Sequence, residues 1–289
     1  MDQVNRLVKV AAIQARPQSQ TLSDLWAGND MEHALGLLRT ACEEGADIAC
    51  FPELYPAAGE AELCQAARDF AVYVIGGIVR QEGDAIYNTA VLIGPEGQVV
   101  GRQGKVMPTS VEMSRGICPA LGYEVFETDL GNIGMIICAD LPFSRRGIME
   151  LKRGGADIVF NPSWWFALGQ AYPASVIGRH LEYGLPIFGV DIAKYALIDD
   201  RPGLQRMLFP PAGGYTTAAI PPPCRDLEEL GQWFRTKPGG PNSMADFITS
   251  LDEDEGILYG TVDIEAARQF PGYFYSERAR EVGTVELAQ

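Results

Sequence analysis

The chain has 289 residues, of which 47% are hydrophobic and 21% are charged, so it can bury a large core within one α/β domain. Its formal net charge is −15, and an acidic surface repels the phosphate backbone of a nucleic acid. No apolar run reaches the ~20 residues of a transmembrane helix, and no signal-peptide pattern opens the chain. A nucleic-acid partner and a membrane are therefore not expected.

The cysteine and histidine content indicates a reducing compartment and no metal site. The six cysteines show no C-x-x-C spacing, and a chain of this size does not need disulfide staples. The chain has only two histidines, His33 and His180, and so small a number argues against a His-rich metal centre. No phosphate-binding or dinucleotide-binding glycine motif occurs. We therefore expect a cytoplasmic protein without a metal or cofactor.

Strand and helix patterns alternate along the chain. Runs of apolar residues predict strands over 7–14, 46–51, 73–79, 88–93, 124–129, 132–138, 157–161, 186–192 and 256–264. Apolar residues at helical spacing predict helices over 23–44, 60–71, 145–153 and 172–183. Ser23 is the predicted N-cap of the first helix, and Gly45 its stop. The pattern predicts an α/β fold in which helices cover mixed sheets.

Residues 199–254 differ from the rest in composition, because prolines and glycines cluster there. Within them, 225–235 has the pattern of a short amphipathic helix. We interpret the segment as a loop-rich insertion in a single domain spanning 1–289. Long loops in compact domains are often functional, which favours a loop over the mouth of an active site or across a subunit boundary. The alternative is a surface excursion without a role in chemistry.

Three short segments each place a reactive group at the edge of a predicted strand: Phe51-Pro52-Glu53-Leu54, Gly104-Lys105-Val106 and Ile136-Ile137-Cys138-Ala139-Asp140. They supply a carboxylate, an ammonium and a thiol. A thiol attacks a carbonyl or nitrile carbon, a carboxylate moves protons, and an ammonium stabilises developing negative charge. Together they suit acyl transfer through a thioester.

In order and long spacing, these segments resemble the F-P-E, R-K and C-x-D motifs of the nitrilase superfamily of carbon–nitrogen hydrolases. The resemblance covers residues 9–162, 178–194 and 256–268. It implies a four-layer α-β-β-α sandwich and a homodimer or larger homo-oligomer. It also implies cofactor-free hydrolysis of a small amide or N-carbamoyl compound. Nitrile hydrolysis uses the same residues in this family, and a non-catalytic interaction protein is a further alternative.

The resemblance assigns a role to each reactive group. A lone cysteine is more often a packing residue, but residues 154–163 match the stretch that follows the family's nucleophile, which favours Cys138 as nucleophile. Glu53 is then the proton carrier. Lys105 stabilises the tetrahedral intermediate, with Arg102 as a rival, and the backbone N–H of Ala139 helps to hold the oxyanion. Glu112 is expected to brace the lysine or orient substrate, unless it is a surface charge.

Four further residues are predicted to contact substrate. Tyr55 follows Glu53 closely, and Trp164 and Trp165 follow a predicted strand that ends near the site, where they would form an apolar wall or a subunit contact. Arg145, or its neighbour Arg146, stands where the family often has an acidic residue. A guanidinium there would bind an anionic part of the substrate, or would only be a solvated first helical turn.

Overall fold

The computed structural model describes residues 6–144, 146–165, 171–200, 207–236 and 247–273. Seven strands form the first sheet: β1 (Leu7–Gln14), β2 (Ile48–Cys50), β3 (Pro56–Ala57), β4 (Tyr73–Glu82), β5 (Ala85–Ile93), β6 (Val99–Gly104) and β15 (Gly256–Asp263). Six strands form the second: β7 (Val125–Thr128), β8 (Gly131–Met135), β9 (Ile158–Ser163), β10 (Ile187–Asp191), β13 (Thr217–Ala219) and β14 (Ile248–Ser250). A separate hairpin joins β11 (Tyr195–Asp199) to β12 (Met207–Ala212).

The described helices are short or of moderate length. In chain order they are α1 (Leu22–Trp26), α2 (Met31–Glu43), α3 (Glu60–Phe70), α4 (Ser110–Ser114), α5 (Asp140–Phe143), α6 (Gly147–Arg153), α7 (Ala171–Tyr183), α8 (Leu227–Thr236) and α9 (Ile264–Gln269). None of the helices in the described ranges is long and apolar enough to cross a membrane.

Both sheets are mixed, as the sequence predicts. The order in the first sheet is β15-β1-β2-β4-β5-β6, with β1, β2 and β4 parallel and the other neighbours on this path antiparallel. The order in the second is β14-β13-β10-β9-β8-β7, with β8, β9 and β10 parallel. The carboxyl ends of parallel strands meet at one sheet edge, where reactive side chains commonly gather.

Alternation along the central strands builds the four layers. In β1, Val8 and Val10 belong to the core between the two sheets, whereas Ala11 and Ile13 belong to the core that contains residues of α2 and α3. A third core joins the second sheet to α6 and α7. Because successive side chains of a strand point to opposite faces of the sheet, a single strand contributes residues to both cores. The predicted α-β-β-α sandwich is confirmed.

Two predicted element boundaries need correction. The helix predicted over 23–44 is two helices, α1 and α2, because Gly28 adopts a φ of 82° and turns the chain between them. The N-cap of α1 is Thr21, whose side chain accepts a hydrogen bond from the Asp24 N–H, and not Ser23. Gly45 does follow the end of α2, with a φ of 76°.

The segment 199–254 is more regular than its composition suggests. It supplies β13 and β14 to the second sheet, where β13 pairs with β10, and β12 to the hairpin with β11. The short helix predicted over 225–235 is present as α8. The segment therefore cannot be described as loops alone, although residues 201–206 and 237–246 lie outside the described parts.

His180 carries a testable pH dependence of stability. It is fully buried on α7, where its Nδ1–H donates to the Leu185 carbonyl at 2.7 Å and its Nε2 accepts from the Tyr273 hydroxyl at 2.8 Å. Burial lowers the pKa of His180 from 6.5 to about 4. The unfolded chain therefore binds this proton at a higher pH than the folded protein does. We expect stability to fall as pH decreases from 6.5 towards 4, by up to about 3 kcal/mol.

Urea unfolding of wild type and His180→Gln at a series of pH values would measure this contribution. Other groups titrate in both proteins, so the difference between the two curves isolates the histidine. Between pH 6.5 and 4, the unfolding free energy of wild type should fall more steeply with decreasing pH than that of His180→Gln. Parallel curves would contradict the assignment of a buried neutral imidazole.

Candidate active site

Glu53, Lys105 and Cys138 are brought together where three strands end. Glu53 follows β2, Lys105 directly follows β6, and Cys138 follows β8. All three are nearly inaccessible, with exposed fractions of 3%, 2% and 4%. The three reactive groups that the motifs predict thus form one buried cluster that spans both sheets.

The Glu53 carboxylate is held by three donors. Its Oε1 accepts from Lys105 Nζ at 2.7 Å and from Asn88 Nδ2 at 2.6 Å, and its Oε2 accepts from the Trp164 backbone N–H at 2.8 Å. Such a carboxylate has one fixed orientation, which a group that must carry protons between defined atoms requires.

Glu112 contacts the lysine from the other side. Its Oε2 accepts from Lys105 Nζ at 2.8 Å, and its Oε1 accepts from Asn88 Nδ2 at 2.8 Å. A capping box at the start of α4, in which the side chains of Thr109 and Glu112 exchange hydrogen bonds with each other's backbone, holds the carboxylate in place. Glu112 is therefore part of the cluster and not a surface charge.

Electrostatics keep the lysine and its brace ionised. Burial alone would lower the pKa of Lys105, but the Glu53 and Glu112 carboxylates outweigh it and the pKa is raised. Burial acts to raise the pKa of Glu112, but the Lys105 ammonium outweighs it and the pKa is lowered. Lys105 is thus a permanent ammonium at neutral pH, suited to stabilise negative charge. The rival Arg102 is ion-paired with Glu60 instead.

Cys138 lies on a sharp turn between β8 and α5. Its φ of 45° is a left-handed conformation that costs a non-glycine residue roughly 1–3 kcal/mol. The turn is held by the Cys138 N–H, which donates to the Pro162 carbonyl at 2.9 Å, and by Asn161 Nδ2, which donates to the Ile136 carbonyl at 2.7 Å. Sγ lies 4.0 Å from the Trp164 carbonyl oxygen. A strained residue that its surroundings hold this firmly is typical of a functional position.

The resting thiol is protonated. Burial raises the pKa of Cys138 well above its ordinary value, the Glu53 carboxylate raises it further, and the Lys105 ammonium opposes this without reversing it. A protonated thiol is a weak nucleophile, so attack requires a base that removes the proton as the new bond forms. Of the two fixed carboxylates that raise the pKa of the thiol, Glu53 has the larger influence and Glu112 the smaller.

Asp140 ties the nucleophile turn to the lysine segment. Its carboxylate accepts from the Val106 N–H at 3.0 Å and from the Met107 N–H at 2.7 Å, and burial raises its pKa to about 6. Ala139 lies between Cys138 and Asp140, and within the described residues its N–H donates to no acceptor. This backbone donor is therefore available to a ligand beside the sulfur.

The predicted substrate contacts separate into different environments. Trp164 lines a cavity of about 70 Å³ that also touches Glu53, Lys105 and Glu112. Trp165 packs its indole between Phe143 and Tyr172, with ring centroids 6.2 and 5.8 Å away. Trp164 therefore forms part of the wall next to the reactive groups, whereas Trp165 has a packing role.

Tyr55 and the arginines differ from expectation. Tyr55 is fully buried against Phe51, and its hydroxyl hydrogen-bonds Nδ1 of His33 at 2.8 Å, so it has no free surface for a substrate. Arg145 lies outside the described residues. The side chain of Arg146 is 77% exposed and pairs with Glu150 one helical turn on, as a solvated first turn would.

Sequence reasoning missed Asn88, the amide that joins the two carboxylates. Asn88 is 1% exposed on β5, and its backbone carbonyl accepts from the Lys105 N–H at 2.8 Å. The amide nitrogen must face Glu53 and Glu112, because the amide oxygen would be repelled by both. The only sequence signal is a polar residue at the start of a predicted buried strand.

Asn88→Ala should lower kcat/KM by roughly 10- to 100-fold, because Glu53 and Glu112 each lose a donor and shift relative to Cys138. Steady-state kinetics on a hydrolysed substrate would measure it. Asn132→Ala is the matched control, since Asn132 donates its side-chain amide to the Gly155 carbonyl away from the site. A folded Asn88→Ala protein with wild-type kcat/KM would show that the bridge does not position the base.

Known proteins resemble this chain in sequence and fold. It is 27% identical to a nitrilase of Pyrococcus abyssi over 70% of this chain and 78% of that one. It is 24% identical to an omega-amidase of Xenopus tropicalis over 50% of this chain and 61% of that one. An amidase structure from Nesterenkonia sp. AN1, with an acetamide moiety on its active-site cysteine, matches with a TM-score of 0.66, 17% identity and 96% coverage of both chains.

The sequence profile described as carbon–nitrogen hydrolase matches residues 9–176. That span is more than half of the 289 residues and contains Glu53, Lys105, Glu112 and Cys138. The chain therefore belongs to the carbon–nitrogen hydrolase family of the nitrilase superfamily.

Proposed function

We propose that this protein hydrolyses the carbon–nitrogen bond of a small amide or N-carbamoyl compound through a thioester on Cys138. The observation that carries the proposal is the buried Cys138 thiol on a strained turn beside the fixed Glu53–Lys105 pair. A thiol in this setting needs a base, an oxyanion partner and a proton donor for the leaving group. The same cluster supplies all three.

In the first half-reaction, sulfur bonds to the carbonyl carbon while Glu53 takes the thiol proton. The carbonyl oxygen becomes an oxyanion. The carbon–nitrogen bond then breaks, Glu53 delivers its proton to the nitrogen, and ammonia or an amine leaves. The acyl group remains on Cys138 as a thioester.

In the second half-reaction, Glu53 takes a proton from water, whose oxygen attacks the thioester carbon. The carbon–sulfur bond breaks, the sulfur regains its proton from Glu53, and the carboxylic acid leaves. One carboxylate thus serves as base and acid in turn, in keeping with its three fixed hydrogen bonds.

Two donors suit the oxyanion. An ammonium has three N–H bonds, and Lys105 gives two of them to Glu53 and Glu112. The third is available for the substrate oxygen. The backbone N–H of Ala139 is the second donor. Removal of one such donor typically costs ~10²–10³ in kcat.

Nitrile hydrolysis is the second candidate. The similarity to the Pyrococcus abyssi nitrilase covers more of this chain than the similarity to the Xenopus omega-amidase does. In that reaction the Cys138 thiol adds across the carbon–nitrogen triple bond to give a thioimidate. Water then converts the thioimidate to ammonia and the same thioester.

Product analysis on a panel separates these candidates. Short amides, N-carbamoyl amino acids and nitriles would each be incubated with wild type, and ammonia, amine and acid would be quantified. We expect amides or N-carbamoyl compounds to be hydrolysed faster than nitriles of the same acyl group. Faster turnover of nitriles would favour the second candidate. No turnover by the folded protein across the panel would contradict both and favour a non-catalytic interaction protein.

A further inference from the structure

The outer part of the active-site cavity is built mainly from apolar side chains. Beyond the reactive groups, its wall consists of Arg115 and six apolar side chains, Leu22, Trp26, Leu54, Ile117, Trp164 and Leu197. The volume of about 70 Å³ is less than half of the roughly 150 Å³ of an engineered cavity that admits benzene. The space fits a short aliphatic group.

The β11–β12 hairpin and α1 close this end of the cavity. Leu197 lies on β11 and Leu22 on α1, and the two elements are joined by a bridge between Thr21 and Ile198. The Ile198 N–H donates to the Gln20 carbonyl at 3.1 Å. The wall that meets the substrate's far end is therefore made by residues outside the three catalytic motifs.

One cation, Arg115, lies in this outer wall, and it is paired. Its Nε is 2.9 Å from Oδ2 of Asp199 on β11, and the two side chains are only 10% and 0% exposed. A buried guanidinium beside a carboxylate has its charge cancelled where a substrate anion would otherwise bind. The charged residues that line the cavity are the carboxylates Glu53 and Glu112 and the cations Lys105 and Arg115, and each of these cations is paired with a carboxylate.

We propose that the cavity selects a short, uncharged aliphatic acyl group, and that the Arg115–Asp199 ion pair enforces this choice by withholding the guanidinium from anionic substrates. The proposal rests on the function proposed above. An acyl group that ends in a carboxylate would enter a cavity whose cations are already paired with carboxylates, and it would lose its hydration without gaining an ion pair. A methyl or isopropyl end would gain apolar contacts instead.

Alkylation of Cys138 tests the proposal without any turnover. Iodoacetamide and iodoacetate have nearly the same size and differ in charge. The rates at which the two reagents alkylate Cys138 would be followed by mass spectrometry of the Cys138 peptide, and the iodoacetamide rate would be divided by the iodoacetate rate. The same ratio measured with glutathione reports the intrinsic reactivity of the reagents. The first ratio divided by the second is the preference that the protein adds. We expect a preference for iodoacetamide of at least about tenfold in wild type. A quotient near one would overturn the proposal.

Substitution of Asp199 tests the role of the ion pair. Asp199→Asn keeps the size of the side chain and Asp199→Ala removes it, and each removes the carboxylate charge beside the Arg115 guanidinium. We expect the preference for iodoacetamide to fall about tenfold. Glu253→Gln is the matched control, because Glu253 pairs with Lys194 near the same hairpin but away from this cavity. If the Asp199 variants preferred iodoacetamide as strongly as Glu253→Gln does, the ion pair would not set the selectivity.

Hydrolysis of two amides of matched shape tests the proposal independently of the alkylation experiments. Wild type should hydrolyse 3-methylbutanamide with at least about tenfold higher kcat/KM than malonamate, which has the same shape and a negative charge. Equal values for the two amides would overturn the proposal. If no amide or nitrile were hydrolysed, the proposed function would fail, and the alkylation ratios would still decide whether the cavity excludes anions.

Discussion

Cys138→Ala should abolish hydrolysis, with kcat/KM lower by at least about 10⁴-fold, while the protein remains folded. In the proposed mechanism the sulfur carries the acyl group, and within the described cluster Glu53 and Lys105 cannot replace a nucleophile. The loss should be accompanied by only a modest fall in unfolding free energy, since the substitution removes one buried sulfur from the core and a contact to the Trp164 carbonyl at 4.0 Å. Steady-state kinetics and urea unfolding would measure the two effects.

Cys118→Ala is the matched control for this substitution. Cys118 is partly buried, and its Sγ lies 3.7 Å from the Gly116 carbonyl outside the catalytic cluster. We expect it to keep wild-type activity within about twofold. An active Cys138→Ala protein would remove the thioester from the mechanism.

Lys105→Met should have the second-largest effect, and it should act on stability and catalysis together. Lys105 lies between two buried carboxylates, so its removal leaves Glu53 and Glu112 linked through Asn88 without a cation. Breaking a buried ion pair on one side costs about 3–5 kcal/mol of unfolding free energy. Loss of the oxyanion partner should lower kcat by ~10²–10³.

A double substitution separates these two effects. Glu112→Gln removes one of the two uncompensated charges, so Lys105→Met/Glu112→Gln should regain part of the lost unfolding free energy. It should not regain activity, because the ammonium is still absent. A double variant that recovered kcat would show that Lys105 holds the site together and does not stabilise the oxyanion.

The meeting of Glu53, Lys105 and Cys138 could be predicted from the sequence because each of the three lies at a strand end. Strand ends are recognisable from local patterns, and parallel strands bring their carboxyl ends to one edge. The brace by Glu112 also has a local signal, since Thr109 and Glu112 have the spacing of a capping box.

The position of Asn88, the cavity wall and the orientation of Tyr55 could not be predicted, because they depend on contacts between distant parts of the chain. Asn88 meets Lys105 because β5 pairs with β6 in one particular register, which no local pattern fixes. The cavity wall requires β11 to dock on α1, which is more than 170 residues away in the sequence. Tyr55 was misjudged because closeness to Glu53 in sequence does not set the direction of a side chain. A homodimer or larger assembly stays a prediction.

The thioester itself is tested most directly by partition of the acyl group between water and hydroxylamine. One acyl group would be supplied as the primary amide and as the N-methyl amide, and the ratio of hydroxamate to acid would be measured for each. A thioester on Cys138 is common to both substrates once the amine has left, so the ratios should be identical. A ratio that changed with the leaving amine would contradict a shared acyl-enzyme and with it the central claim.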